Sequence, residues 1–382
     1  MGASEKTPAP SALDVAAYAV SLLEDNGLFN SAHGAVFTRD GINELEASVM
    51  VSRGYKKRGV GVTRLRHVRN PVLLAREMLV RGEGDLETRG LDVPSAQGHG
   101  LVCGEAAEQL ARVYGLDMVE PGYFFTQQRW DEHVRALATW SPDEYLPQGT
   151  CGAVALDGEG VVCAATSTGG MTNKLTGRIG DTPVVGAGFW AEEWCDGETE
   201  TETETETAWD GLARRVRAFG PGVSFAGPLR GLLADCLAAP LGYLPLDARS
   251  GDRTVTCRSM GASGTGNGDS FLRISAVRSV AAMARWKPES SARAMAHVVG
   301  PEGELQRSAG DRWGRTGEGE GGMIGIESIV ERDAETGRVV GARSEILMAY
   351  NCGGMYRAWV DDEGRPRMSI WSNGGEDPEN RA

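Results

Sequence analysis

Pro147-Gln148-Gly149-Thr150-Cys151-Gly152-Ala153-Val154-Ala155-Leu156-Asp157 sets a Gly-Thr pair at the mouth of an apolar, strand-like run. Cutting the Gly149–Thr150 peptide would give Thr150 a free α-amine beside its own hydroxyl, so that one residue would hold both a nucleophile and a base. The glycine ahead of it leaves the scissile carbonyl open to attack. Alone, the dipeptide carries little weight, because threonine favours strands and glycine punctuates turns. Cys151 is a competing nucleophile by type, but on a strand it points to the face opposite Thr150.

Working outward, a second strand-like run, Val161 to Ala165, leads into Thr166-Ser167-Thr168-Gly169-Gly170-Met171-Thr172-Asn173-Lys174-Leu175 and then Gly177-Arg178-Ile179-Gly180-Asp181. Further on stand Ser263-Gly264-Thr265-Gly266-Asn267-Gly268-Asp269-Ser270-Phe271-Leu272-Arg273 and Asn351-Cys352-Gly353-Gly354-Met355-Tyr356-Arg357. Together these blocks resemble the plant-type L-asparaginase and isoaspartyl peptidase family of N-terminal-nucleophile hydrolases. The resemblance extends back through Gly104-Glu105-Ala106-Ala107, Asn70-Pro71-Val72, Gly34-Ala35-Val36-Phe37 and Leu28-Phe29-Asn30 to Ser11-Ala12-Leu13-Asp14. Gly186 to Trp190 and Gly264 to Arg273 look closest to fungal members.

The resemblance implies an α+β fold, the four-layer αββα sandwich, made as one domain from two halves, 1–149 and 150–382. It also implies roles. Thr150 is the nucleophile freed by cleavage after Gly149, Thr168 tunes it, and the Thr265 hydroxyl with the Gly266 N–H forms the oxyanion hole. A glycine-rich turn running into a helix suits that task, because it exposes backbone donors at a positive helix end. Arg178 and Asp181 would read the α-carboxylate and α-ammonium of an amino-acid substrate, and Asn30 would line the pocket. No cofactor is expected beyond a structural Na+ held by main-chain carbonyls of Leu23, Glu24, Asn26, Phe29, Ser31 and His33. The implied substrates are L-asparagine and β-aspartyl dipeptides, and the implied assembly is a dimer of processed αβ heterodimers. Two other readings stay open: a threonine-aspartase-like protease, and an unprocessed, inactive relative.

Three departures from the family pattern bear on activity. Family members open with a strand and a His-Gly-Gly-like turn that this chain lacks, so an N-terminally truncated member is expected. Gln148 stands where histidine is common, and Asp269 replaces a glutamate.

Composition fits an enzyme with a full core: 382 residues, 41% hydrophobic. No apolar run approaches the roughly 20 residues of a membrane span, and Met1 to Pro10 carries no hydrophobic signal core. Seven cysteines without C-x-x-C pairs point to reduced thiols and a cytoplasmic setting. A net charge of -14 argues against nucleic acid. Part of that charge sits in Glu198 to Glu206, where alternating Thr and Glu read as a disordered acidic insertion at about 192–210.

Local patterns predict a helix from Ser11 to Glu24 and a hairpin of strands 34–38 and 44–52 turning at Asp40-Gly41. A helix from Pro71 to Val80 follows, with an irregular insertion at 82–98 and helices at 105–114 and 128–137. Beyond Thr150 the expected strands are 150–157, 160–166, 184–188 and 254–258, with a short helix at 228–237. One long helix from Asp269 to Trp286 and a terminal hairpin of 321–330 with 339–349 complete the pattern. Strands in both halves and helices in pairs give two packed sheets flanked by helices.

Overall fold

Ser11 accepts the Asp14 N–H at 3.2 Å through its hydroxyl, which satisfies an orphan donor and opens α1 (Ala12–Glu24) where the sequence places it. The computed structural model describes residues 9–55, 59–85, 96, 98–138, 149–196, 254–287 and 289–371. In chain order there follow β1 (Leu45–Val51), β2 (Gly59–Leu65), α2 (Pro71–Asp85), β3 (Leu101–Cys103), α3 (Gly104–Val113) and α4 (Gln127–Ala138). After Thr150 come β4 (Cys151–Leu156), β5 (Val162–Thr168), β6 (Phe189–Asp196), β7 (Thr254–Gly266), α5 (Gly268–Ile274) and α6 (Ala276–Trp286). The last elements are α7 (Ser291–Val299), α8 (Glu304–Arg307), β8 (Gly321–Asp333), β9 (Val339–Tyr350), β10 (Gly354–Val360) and β11 (Pro366–Trp371).

The chain divides into two compact units. The larger comprises Met1–Trp194, Cys257–Val330 and Gly341–Ala382; the smaller comprises Cys195–Thr256 and Glu331–Val340. Within the smaller unit, Asp333 and Arg338 close the β8–β9 hairpin through the Asp333 N–H and the Arg338 carbonyl, and the Asp333 carboxylate caps the Glu335 and Thr336 amides.

One sheet has the order β3-β2-β1-β5-β4 and a second the order β6-β7-β8-β9, with β10 and β11 as a separate ribbon. In the first sheet only β2 and β3 run parallel among the pairings described. Strand periodicity sorts its faces. Leu45, Ala47, Val49 and Val51 of β1 join Cys163 and Ala165 of β5 in one apolar core with Leu13, Ala16 and Val20 of α1 and Met78 and Leu79 of α2. Burying a side chain of this size contributes about 1.5–3 kcal/mol. Glu46, Ser48 and Met50 face the other way, and Met50 packs with Phe189 and Ala191 of β6. That same face meets β7: a Cβ on Gly152 would overlap the Ser263 hydroxyl, and one on Gly261 would lie 3.6 Å from Val154. A second core gathers Met260, Met323 and Leu347 with Phe271 of α5, Val277 and Val280 of α6, and Met295 and Val298 of α7.

Several expectations need correcting. Residues 34–38 form no strand; the only pairing there is an isolated bridge from Thr38 to Lys174, because Asn43 donates its side-chain amide to the Ala35 and Val36 carbonyls and holds the segment as a loop. The expected strand at 184–188 is a turn built on the Asp181 carbonyl, which accepts the Val184 and Gly188 amides, and the strand begins at Phe189. That strand runs to Asp196, so an insertion cannot begin at 192. Instead of one long helix to Trp286, α5 and α6 break at Ser275, which adopts φ 47°. Ser263 to Gly266 are the end of β7 and not a turn. α2 runs on to Asp85, into the expected insertion. The Thr-Glu tract, the 228–237 helix and most of 82–98 lie outside the described residues. Cys103, Cys151, Cys163 and Cys352 are free thiols, but Cys195 and Cys257 are disulfide-bonded, against the reading of uniformly reduced cysteines. Among the described residues no helix is long and apolar enough to cross a membrane.

Candidate active site

The first sheet brings three polar residues into one row at one end. Glu46 of β1 pairs with Thr168 of β5, and Cys151 of β4 pairs with Ser167, so the same antiparallel register carried one step sets Thr150 opposite Thr168. Glu46, Thr168 and Thr150 therefore share the face that meets β7. From that strand Thr265 approaches: its Oγ1 accepts the Thr150 N–H at 2.8 Å. The nitrogen that cleavage would convert to an α-amine is thus already held by a hydroxyl from the other sheet. Gly149 is exposed and Thr150 half-buried, which leaves the peptide between them reachable.

Thr168 is buried, and its Oγ1 accepts the Gly170 N–H at 3.0 Å. Asn30 is buried beside it. Its Nδ2 donates to the Gly170 carbonyl at 2.8 Å while its Oδ1 accepts the Val36 N–H at 3.0 Å, so the loop after α1 clamps the turn after β5. Gly266 has φ +146°, and a Cβ there would overlap the Glu320 carbonyl oxygen. No other residue type fits without moving that backbone. Asn351 fixes the opposing segment, accepting the Gly321 N–H at 2.9 Å and donating to the Gly319 carbonyl at 2.8 Å.

Arg178 and Asp181 converge on Gly268, the first residue of α5. A Cβ at Gly268 would lie 2.6 Å from Asp181 Oδ1 and 3.1 Å from Arg178 Nη2. Asp181 is buried, and its Oδ2 has no hydrogen-bond partner. Burial pushes its carboxyl up to about 7, the Glu46 and Asp269 carboxylates push the same way, and Arg178 opposes them. Arg178 Nη2 stands 3.1 Å from Asp269 Oδ1, close enough for an ion pair but without hydrogen-bond alignment, so that nitrogen is also unsatisfied. Asp181 Oδ2 and Arg178 Nη2, each buried without a hydrogen bond, are atoms that a zwitterion could satisfy.

Cys151 lies on the opposite face, where burial raises its thiol to about 12 and keeps it from acting as a nucleophile. The sequence reading missed Glu46, whose signal was a carboxylate inside an otherwise apolar strand. It also missed Lys174, a buried ammonium donating to the Glu44 carbonyl at 2.8 Å.

The loop expected to hold Na+ is tightly turned, with Ala32 at φ 44° and Gly34 at φ 109°. The Glu24 and Asn26 carbonyls each accept one backbone N–H within the loop, which leaves each a second lone pair, whereas the Leu23 carbonyl accepts the Asp25 and Asn26 amides. A Cβ on Gly34 would fall 2.5 Å from the Gly27 oxygen and 2.7 Å from the Phe29 oxygen, so glycine keeps open a cradle of carbonyls. An uncharged oxygen cradle fits a hard monovalent cation.

The profile of a family described as asparaginase matches residues 7–197. The isoaspartyl peptidase of Escherichia coli (strain K12) is 44% identical over 191 residues, 47% of this chain and 54% of that one. A putative isoaspartyl peptidase/L-asparaginase of Dictyostelium discoideum is 34% identical over 217 residues, 47% and 58% of the two chains. The plant-type L-asparaginase of Pyrococcus furiosus is 36% identical over 196 residues, 48% and 58%. The chain thus spans little more than half the length of the curated relatives it matches.

Proposed function

Given that the chain belongs to the asparaginase family, we propose that it is a hydrolase that cleaves itself at Gly149–Thr150. The mature protein then hydrolyses the side-chain amide of L-asparagine or the isopeptide bond of β-aspartyl dipeptides. In the precursor, Thr150 Oγ attacks the Gly149 carbonyl carbon. The C–N bond breaks as the Thr150 nitrogen takes the hydroxyl proton, and water hydrolyses the resulting ester.

In the mature protein the Thr150 α-amine, with an ordinary pKa of about 7.7–8.0, accepts the hydroxyl proton near neutral pH. Oγ attacks the substrate carbonyl, and the Thr265 hydroxyl and Gly266 N–H meet the developing oxyanion. The Thr150 ammonium returns its proton to the leaving ammonia or amino acid. Water then hydrolyses the β-aspartyl ester, with the same amine as base. Arg178 holds the substrate α-carboxylate and Asp181 its α-ammonium, while Thr168 donates to the nucleophile and Asn30 lines the pocket.

Main-chain carbonyls of Leu23, Glu24, Asn26, Phe29, Ser31 and His33 would hold a structural Na+, which supplies only charge to order the loop behind Asn30. The four αββα layers belong to this reading, supported by the Gly152 and Gly261 contacts and by two separate helix–sheet cores, as does a dimer of processed heterodimers. Among the described residues, the free thiols Cys103, Cys151, Cys163 and Cys352 favour a cytoplasmic setting, and the disulfide-bonded Cys195 and Cys257 weigh against it.

The observation that carries the reading is the 2.8 Å bond from the Thr150 nitrogen to Thr265 Oγ1, which joins the nucleophile to the oxyanion strand. Denaturing electrophoresis tests it together with ammonia release from L-asparagine and cleavage of β-Asp-Leu. Wild type should give two bands and turnover; Thr150→Ala should give one band and none. A Thr150→Ala protein that still splits would remove the assigned nucleophile.

A further inference from the structure

Glu46 is 1% exposed, yet it carries a carboxylate into the row that ends in Thr168 and Thr150. Its oxygens accept from two donors: the Thr63 hydroxyl at 3.0 Å on Oε1, and the Gly180 N–H, shared between Oε1 at 3.1 Å and Oε2 at 3.2 Å. Gly180 is the link between Arg178 and Asp181. A Cβ there would lie 3.1 Å from Glu46 Oε2 and 2.9 Å from Arg178 Nη1, so the Gly180 peptide is wedged between carboxylate and guanidinium. Glu44, two residues earlier on the same face, accepts the Gly177 N–H at 2.7 Å and anchors the other end of the segment. Lys174, also buried, is attracted to both carboxylates and repelled by Arg178.

We infer that Glu46 is a positioning residue for substrate recognition: it fixes the Gly177–Asp181 segment so that the guanidinium and the carboxylate stand at the spacing of an amino-acid zwitterion. This rests on the roles of Arg178 and Asp181 proposed above and extends them to a group that does not touch substrate. A buried carboxylate accepting backbone N–H groups is a stronger anchor than a neutral acceptor. It also compensates Arg178 and Lys174, which would otherwise repel each other without an intervening negative charge.

Arg178 and Asp181 hold the substrate equally in the ground and transition states, so disturbing them acts on KM and spares kcat. Glu46→Gln keeps the shape, loses the charge and weakens the hold on Gly180. The test is steady-state kinetics of the full chain on L-asparagine and β-Asp-Leu, normalised to the processed fraction. Calorimetric titration with L-aspartate, a product carrying the same two charges, is run beside it.

The expected result is a rise in KM of about tenfold, the scale of one charged hydrogen bond, with kcat within about threefold. L-aspartate should weaken in parallel. Glu46→Asp, which retains the charge but is one methylene short, should fall between wild type and Glu46→Gln. A drop in kcat at unchanged KM and unchanged L-aspartate affinity would overturn the inference, since a merely structural residue lowers the amount of working site and not its affinity. If Glu46→Gln does not fold, Thr63→Val removes one donor to the same carboxylate and should raise KM about threefold; an unchanged KM there overturns the inference. Wild type that neither turns over substrate nor binds L-aspartate would bring down the reading of the site itself. Wild type that does both, with variants that match it, would remove Glu46 alone.

Discussion

Replacing Asp181 by asparagine should make the protein more stable at alkaline pH while destroying its use. The carboxyl is fully buried, with one oxygen unpartnered, and its pKa rises from an ordinary 3.8 to about 7. The native state therefore keeps a proton that the unfolded chain releases across that interval. Stability linked to this group is complete below pH 3.8 and is lost as pH rises through about 7. Each pH unit contributes about 1.36 kcal/mol, so the whole interval amounts to about 4 kcal/mol and the part above pH 5 to about 3 kcal/mol. Urea unfolding should be run on the uncut Thr150→Ala chain with and without Asp181→Asn, at pH 5 and pH 8. Titrating groups that do not interact with Asp181, Glu24 among them, are common to both proteins and cancel in the double difference. The parent should lose about 3 kcal/mol more than the variant between the two pH values. Parallel profiles would show that Asp181 is ionised at little cost, and the picture of an unmatched carboxylate awaiting an ammonium would be refuted.

Two further outcomes follow from single positions. Gly266→Ala places a methyl on the Glu320 carbonyl oxygen at a φ of +146°; by displacing the Gly266 N–H it should cut kcat by about 10²–10³-fold, with turnover assays as the check and an unchanged kcat as the contrary result. Ser11→Ala removes the cap on Asp14 N–H and should cost about 1 kcal/mol in urea unfolding at unchanged KM.

The helix ends were legible because they are written locally. Ser11 with Asp14 marks the start of α1, Pro71 the start of α2, and the strand at Thr150 follows from six mostly small apolar residues. The candidate site residues were named from their motif; Thr150 meets Thr265 directly, and Thr168 and Asn30 each bond Gly170. The misreadings share a cause: residues 34–38 and 184–188 look like strands by composition, but hydrogen bonds donated by the Asn43 amide and turn bonds accepted by the Asp181 carbonyl override strand propensity. Ser275 interrupts a continuous helical pattern by adopting a left-handed conformation, which periodicity does not encode. Glu46 stood out as a carboxylate in a mostly apolar strand, but its role was not legible for a different reason. A buried charge is explained only by the partners it finds, and Thr63, Gly180 and Lys174 are distant from it in sequence.

The bare backbone at Gly152 against the Ser263 hydroxyl has a mechanical meaning. With no side chain on Gly152, β4 and β7 act as the jaws of a caliper whose gap at that point is set by the Gly152 backbone against the Ser263 side chain. Thr150 rides on one jaw and Thr265 on the other. The reacting groups are therefore gauged by the thickness of the protein interior itself, and any substituent that pries the jaws apart would detune the chemistry before it unfolded the chain.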